Sequence, residues 1–244
     1  MYNVENLKPP IFEMGLKGYL YGERAVAFAR AADSISRKHE VPIIFDPQYV
    51  DIPRIVAETQ YLYVFAQHMD SVTIGRGIGH ILPEALKEAG VVGTILNHAE
   101  RKLFINEIYK TIYRADEIGL ATLVCADSPY EAAAVAEFKP NIVLAEPPEL
   151  IGTSRPVGSR LKSFISETIT KVKRINPNII VGSGAGVKDA QGVREIIKMG
   201  AELTGSTSAI LKSDDPVKML EEMVIALKEA WMETHENSTM RENH

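Results

Sequence analysis

Asn141-Ile142-Val143-Leu144-Ala145-Glu146-Pro147-Pro148 is a short apolar, β-branched run that ends abruptly in a carboxylate and two prolines. Such a run, placed after Lys139-Pro140, reads as a buried parallel strand with Glu146 at its C-terminal end. The prolines fix the backbone directly after Glu146. Further on, Gly152-Thr153 lets the loop pivot and brings a backbone N–H close to an anion. A strand, a carboxylate at its tip and a hinged loop form the layout of a general base beneath a lid.

Runs of the same character recur along the chain, at Ile11 to Leu16, Val41 to Phe45, Tyr61 to Ala66, Val91 to Leu96, Leu120 to Cys125, Ile179 to Gly182 and Leu203 to Ser206. Between and after them lie stretches with helical spacing of apolar residues: Gly22 to Lys38, Asp51 to Glu58, Pro83 to Ala89, Lys102 to Ile118, Pro129 to Glu137, Arg160 to Ile175, Asp189 to Met199 and Asp215 to Trp231. Strands apolar on both faces imply cover on both sides, and strict β-α alternation implies a parallel sheet with right-handed crossovers. The expected fold is therefore α/β, a single (β/α)8 barrel over residues 1–232, with an open doubly wound sheet as the alternative. Residues 233–244 read as a mobile polar tail.

Composition narrows the function. A formal net charge of −5 argues against nucleic acid or an anionic membrane as partner, because both need a basic face. The single Cys125 excludes an intramolecular disulfide framework and a multi-cysteine metal site, and its place in an apolar run makes it a core thiol. No N-terminal basic-then-apolar segment and no run of membrane-spanning length is present, so the expected location is cytoplasmic.

In a barrel, chemistry belongs at the C-terminal ends of the strands. Those ends carry Lys17 after the first strand, Asn97-His98-Ala99-Glu100 after the fourth and Glu146 after the sixth. Gly182-Ser183-Gly184-Ala185-Gly186 follows the seventh and Ser206-Thr207-Ser208 the eighth. Small residues opening a helix let backbone N–H groups approach an anion, although a glycine cluster is equally a tight turn. His39, His68 and His80 read as structural histidines; His98 differs by its place after a strand, where a following helix N-terminus disfavours imidazolium.

Three of these segments resemble triosephosphate isomerase in its short form, found in archaea and some thermophilic bacteria. They are Leu96-Asn97-His98-Ala99-Glu100, Glu146-Pro147-Pro148-Glu149-Leu150-Ile151-Gly152-Thr153 and Gly15-Leu16-Lys17. The resemblance implies isomerisation of a phosphorylated ketose without metal or cofactor. It makes Glu146 the base, His98 and Lys17 the stabilisers of an enediolate, and Glu100 the partner of Lys17. It assigns phosphate binding to Gly152, Gly184, Ala185, Gly186, Thr207 and Ser208, and a substrate contact to position 15. It also implies a homodimer or homotetramer, with the Gly75-Arg76-Gly77-Ile78-Gly79-His80 loop reaching a second subunit.

Four positions depart from the family. Gly15 replaces an asparagine that touches substrate, Ile78 a threonine that supports it from the partner subunit, Ala99 a serine, and Ser154 a lid glycine. Loss of an amide with its support predicts weaker triose recognition and a vacated volume able to admit one more hydroxymethyl group, as in a tetrulose phosphate. A phosphate-binding barrel without catalysis is a further alternative, opposed by the retention of Lys17, His98, Glu100 and Glu146 together. An aldolase or synthase calls for a Schiff-base lysine or metal-spaced carboxylates, and no candidate stands out.

Overall fold

The computed structural model describes residues 7–147, 159–184 and 186–242. Within them eight strands form a closed parallel barrel in sequence order. The strands are β1 (Ile11–Gly15), β2 (Ile43–Asp46), β3 (Leu62–Ala66), β4 (Gly93–Leu96), β5 (Ala121–Ala126), β6 (Ile142–Ala145), β7 (Ile180–Gly182) and β8 (Leu203–Gly205). Closure is carried by β1, which pairs in parallel with both β2 and β8. The doubly wound alternative is thereby excluded.

Helices α1 (Gly22–His39), α2 (Ile52–Glu58), α3 (Pro83–Glu88), α4 (Ile105–Ile118), α5 (Pro129–Ala136), α6 (Ser159–Ile175), α7 (Ala190–Lys198), α8 (Ser208–Leu211) and α9 (Pro216–Glu242) cover the outside. Three features differ from the expectation. The short α8 intervenes after β8, and α9 continues through the residues read as a polar tail up to Glu242. Helix α4 starts at Ile105 rather than Lys102, because the Glu107 carboxylate accepts the Phe104 N–H at 3.0 Å and so fixes the first turn there.

The two-residue period of the strands sorts side chains between two cores. Ile11, Ile44, Tyr63, Phe65, Ile95, Leu123, Cys125, Ile142 and Leu144 pack along the barrel axis, while Phe12, Met14, Ile43, Phe45, Val143 and Ala145 face the helices. The axis is filled: Phe65 is so close to Gly93, its register partner on β4, that its ring occupies the place of a side chain there. With the interior packed, polar groups have room only at the mouth. The same alternation aims Glu13 and Gly15 of β1, Asp46 of β2 and Glu146 after β6 inward, toward that mouth.

Candidate active site

A cavity of about 870 Å³ opens at the C-terminal mouth of the barrel. Lys17, His98, Glu100, Glu146, Gly15, Gly184, Gly186, Thr207 and Ser208 all line it, so residues far apart in sequence converge as the sequence reading expects. Gly152 and Ala185 lie outside the described residues.

Lys17 holds a left-handed backbone conformation at φ 46°, unfavourable for a side chain with a Cβ. The surroundings fix it there. Its carbonyl accepts hydrogen bonds from Gln48 Nε2 at 2.6 Å and Gln67 Nε2 at 3.1 Å, and its Nζ meets Glu100 Oε1 at 2.6 Å. Burial works against the ammonium, but Glu100, Glu146 and Glu13 outweigh it and raise the lysine above its ordinary value. The same ion pair holds Glu100 below the usual carboxylate range despite partial burial. The site therefore contains a fixed positive charge.

Asn97, next to the candidate histidine, is also left-handed, at φ 57°. It is buried, and its amide donates to the Cys125 carbonyl at 2.9 Å and to Glu131 Oε1 at 2.8 Å, while its Oδ1 accepts the Leu103 N–H at 3.0 Å. This anchor sets the turn from which His98 enters the cavity. The Glu100 backbone N–H donates to His98 Nδ1 at 3.1 Å, and an N–H can only donate. Nδ1 is therefore unprotonated, and the single ring proton of the neutral imidazole is on Nε2. Burial first, and the Lys17 charge second, push the histidine below its ordinary value. The helix start expected to keep it neutral is too distant in sequence, at Ile105; one backbone N–H, burial and a lysine do so instead.

Glu146 begins directly after β6, where its own N–H still bonds the Ala126 carbonyl of β5 at 2.9 Å. Its carboxylate lies above Gly184, with Oε1 2.9 Å from the point where a Cβ on that residue would stand. Burial, together with the Glu13 charge, raises its pKa to about 7, against the opposing pull of Lys17 and the Gly184 backbone N–H. A carboxylate so tuned is a competent base at neutral pH.

Beyond Gly184, Gly186 turns at φ 78° and, after the neighbouring β8, α8 begins at Ser208 after Thr207. The first N–H groups of a helix lack intrahelical acceptors, and here they border the cavity. The Ser206 hydroxyl is engaged by the Val187 carbonyl, to which it donates at 2.9 Å. Three further histidines make ion-pair contacts outside this constellation: His39 pairs with Glu221 at 2.8 Å, and His68 and His80 flank Asp70 at 3.2 and 3.4 Å.

A family model described as triosephosphate isomerase matches residues 13–223. The chain belongs to the triosephosphate isomerase family. It is 38% identical to the triosephosphate isomerase of Methanobacterium bryantii over 217 residues, which span 88% of this chain and 96% of that protein. To that of Sulfurisphaera tokodaii it is 36% identical over 225 residues, 91% and 97% of the two chains. To that of Methanosarcina mazei it is 35% identical over 217 residues, 88% and 97%.

Within this triosephosphate isomerase framework, the volume expected to be vacated at Gly15 is occupied. Asp46 Oδ2 and Glu13 Oε1 each lie 2.9 Å from the point where a Gly15 Cβ would stand. The two carboxyls hydrogen-bond to each other, and burial raises both above their ordinary values, with the neighbouring Glu13 charge adding to the rise at Asp46, so the pair retains a proton. The sequence reading singled out neither residue. Glu13 nevertheless carried a signal, a charge at an inward position of the otherwise apolar strand Ile11-Phe12-Glu13-Met14. Ile78, at the second departure, is fully exposed at 105% of its reference area.

Proposed function

We propose that this chain interconverts dihydroxyacetone phosphate and D-glyceraldehyde 3-phosphate by enediolate proton transfer. The observation that carries the reading is the pairing of a carboxylate base tuned to about 7 with a neutral imidazole whose proton is on Nε2, both on one cavity beside Lys17. Glu146 removes a proton from the hydroxyl-bearing carbon next to the ketose carbonyl, and the electron pair moves into an enediolate. The Nε2–H of His98 and the Lys17 ammonium offset the developing oxyanion charge. Glu146 then returns the proton to the former carbonyl carbon. In the net reaction one proton changes carbon and one changes oxygen, with no oxidation and no leaving group.

Gly184, Gly186, Thr207 and Ser208 hold the phosphate in this reading through backbone N–H groups and hydroxyls, joined by Ala185 and by Gly152 of the lid. A non-catalytic phosphate-binding barrel has no use for a buried, charge-tuned base. We also infer a homodimer or homotetramer, since Ile74 and Ile78 expose their side chains on the loop that reaches the partner in the family. Incubation of the protein with dihydroxyacetone phosphate in deuterium oxide tests the reaction: deuterium enters at the hydroxyl-bearing carbon, and its absence refutes the reading.

A further inference from the structure

The Glu13 and Asp46 pair is the part of the cavity that this proton transfer does not use. Its position follows from register. Gly15 of β1 faces Asp46 of β2, and Glu13 of β1 faces Gly205 of β8. Glycine at both facing positions leaves the space that the two carboxyls occupy: Glu13 Oε2 lies 2.6 Å from the place of a Gly205 Cβ, as Oε1 does 2.9 Å from that of Gly15. Two hydrogen-bonded carboxyls in such a site share one proton, because both cannot ionise side by side.

The pair has spare acceptor capacity. Asp46 is 4% exposed, and its Oδ1 is buried without a hydrogen-bond partner. Buried acceptors are normally satisfied, and this one belongs to a side chain in the cavity wall. Glu13 lines the same cavity. An amide at position 15 presents N–H donors to a carbonyl or ester oxygen; a carboxyl pair presents acceptors, and the group that acceptors select is a hydroxyl.

The single hydroxyl of a ketotriose phosphate sits on a carbon whose proton Glu146 removes, so it belongs at the end of the cavity near β4 and β6. The pair stands instead over β1, β2 and β8, beside Lys17. A hydroxyl bound there is carried by another carbon. A cavity of about 870 Å³ has ample room for it, as pockets for much larger ligands begin at roughly 300 Å³.

Building on the isomerase reading, we propose that Glu13 and Asp46 form a hydroxyl-binding subsite, so that the enzyme acts on a ketose phosphate one hydroxylated carbon longer than the triose, a tetrulose phosphate, and favours it. Glu13 takes the hydroxyl. The one proton that the pair retains is shared with Asp46 and holds the two carboxyls together.

The test compares kcat/KM for dihydroxyacetone phosphate with those for erythrulose 1-phosphate and erythrulose 4-phosphate at pH 8.5, where Glu146 is ionised. The wild type favours one erythrulose phosphate over the triose by about tenfold or more. Glu13→Gln and Asp46→Asn each lower that ratio at least fivefold, through the tetrulose. A wild-type preference for the triose overturns the subsite, as does a ratio that both folded variants leave unchanged. The wild-type comparison decides alone if the variants do not fold. Turnover of none of the three compounds refutes the isomerase reading itself, and the subsite with it, whereas triose turnover without tetrulose turnover refutes only the subsite.

Discussion

Glu146 Oε1 and Gly184 stand so close that a Cβ on the glycine would lie 2.9 Å from that oxygen and 3.0 Å from the Gly205 carbonyl. The proposed base is thus seated on a residue that must lack a side chain. Gly184→Ala displaces the carboxylate, because the backbone on the other side cannot yield. We expect kcat to fall on the order of 100-fold, as misplacement of a reacting group by about 1 Å does, with the fold retained. Steady-state kinetics and a circular dichroism spectrum of the variant check this; kcat within threefold of wild type contradicts the packing argument.

The pKa of Glu146 sets the acid limb of the pH profile. The base acts as carboxylate, and its folded value is raised to about 7 by burial and by Glu13. Activity is therefore half-maximal at about pH 7, nearly full by about pH 8, and falls tenfold per unit well below the midpoint. The limb lies about a unit above that of a phosphate monoester, whose second pKa is about 6. Glu13→Gln removes a negative neighbour and should move the limb to lower pH. A limb unmoved by that change contradicts the assigned cause.

Neutrality of His98 is open to direct observation. With Nδ1 accepting the Glu100 N–H and burial disfavouring the cation, its ring nitrogens should show the neutral Nε2–H tautomer by ¹⁵N NMR. The midpoint of any titration should lie below that of an ordinary histidine, about 6.5. Titration with a midpoint above 6.5 contradicts the geometry.

The turn that carries His98 depends on Asn97. Three hydrogen bonds of this buried side chain and its left-handed backbone, at φ 57°, are lost or strained in Asn97→Ala. Each buried bond contributes about 1 kcal/mol net, so a loss of roughly 2–4 kcal/mol is expected. In a chain of this size that lowers Tm by roughly 5–12 °C. A melting curve within 2 °C of wild type shows the anchor to be dispensable.

The alternation of the barrel was legible because its evidence is local, apolar runs of strand length between stretches of helical spacing; closure was not, because it rests on the long-range pairing of β1 with β8. The convergence of Lys17, His98, Glu100 and Glu146 on one cavity was legible because each stands just past such a run. What escaped depended on contacts across the barrel. The place of Gly15 looked empty in sequence, yet Asp46 reaches it from the next strand and Glu13 from its own. The start of α4 was misread by overlooking the Glu107 side chain that fixes it. The neutral state of His98 was expected for the wrong reason, a helix end in place of a single N–H.

The central claim is that Glu146 removes the carbon-bound proton. Glu146→Gln keeps the shape and hydrogen-bonding reach of the side chain and removes the base. The decisive measurement is the rate of deuterium incorporation from solvent into bound dihydroxyacetone phosphate, wild type against this variant, with phosphate binding to the variant confirmed by calorimetry. Loss of exchange by at least a thousandfold, with binding intact, is the predicted result. Exchange at the wild-type rate in the variant contradicts the account.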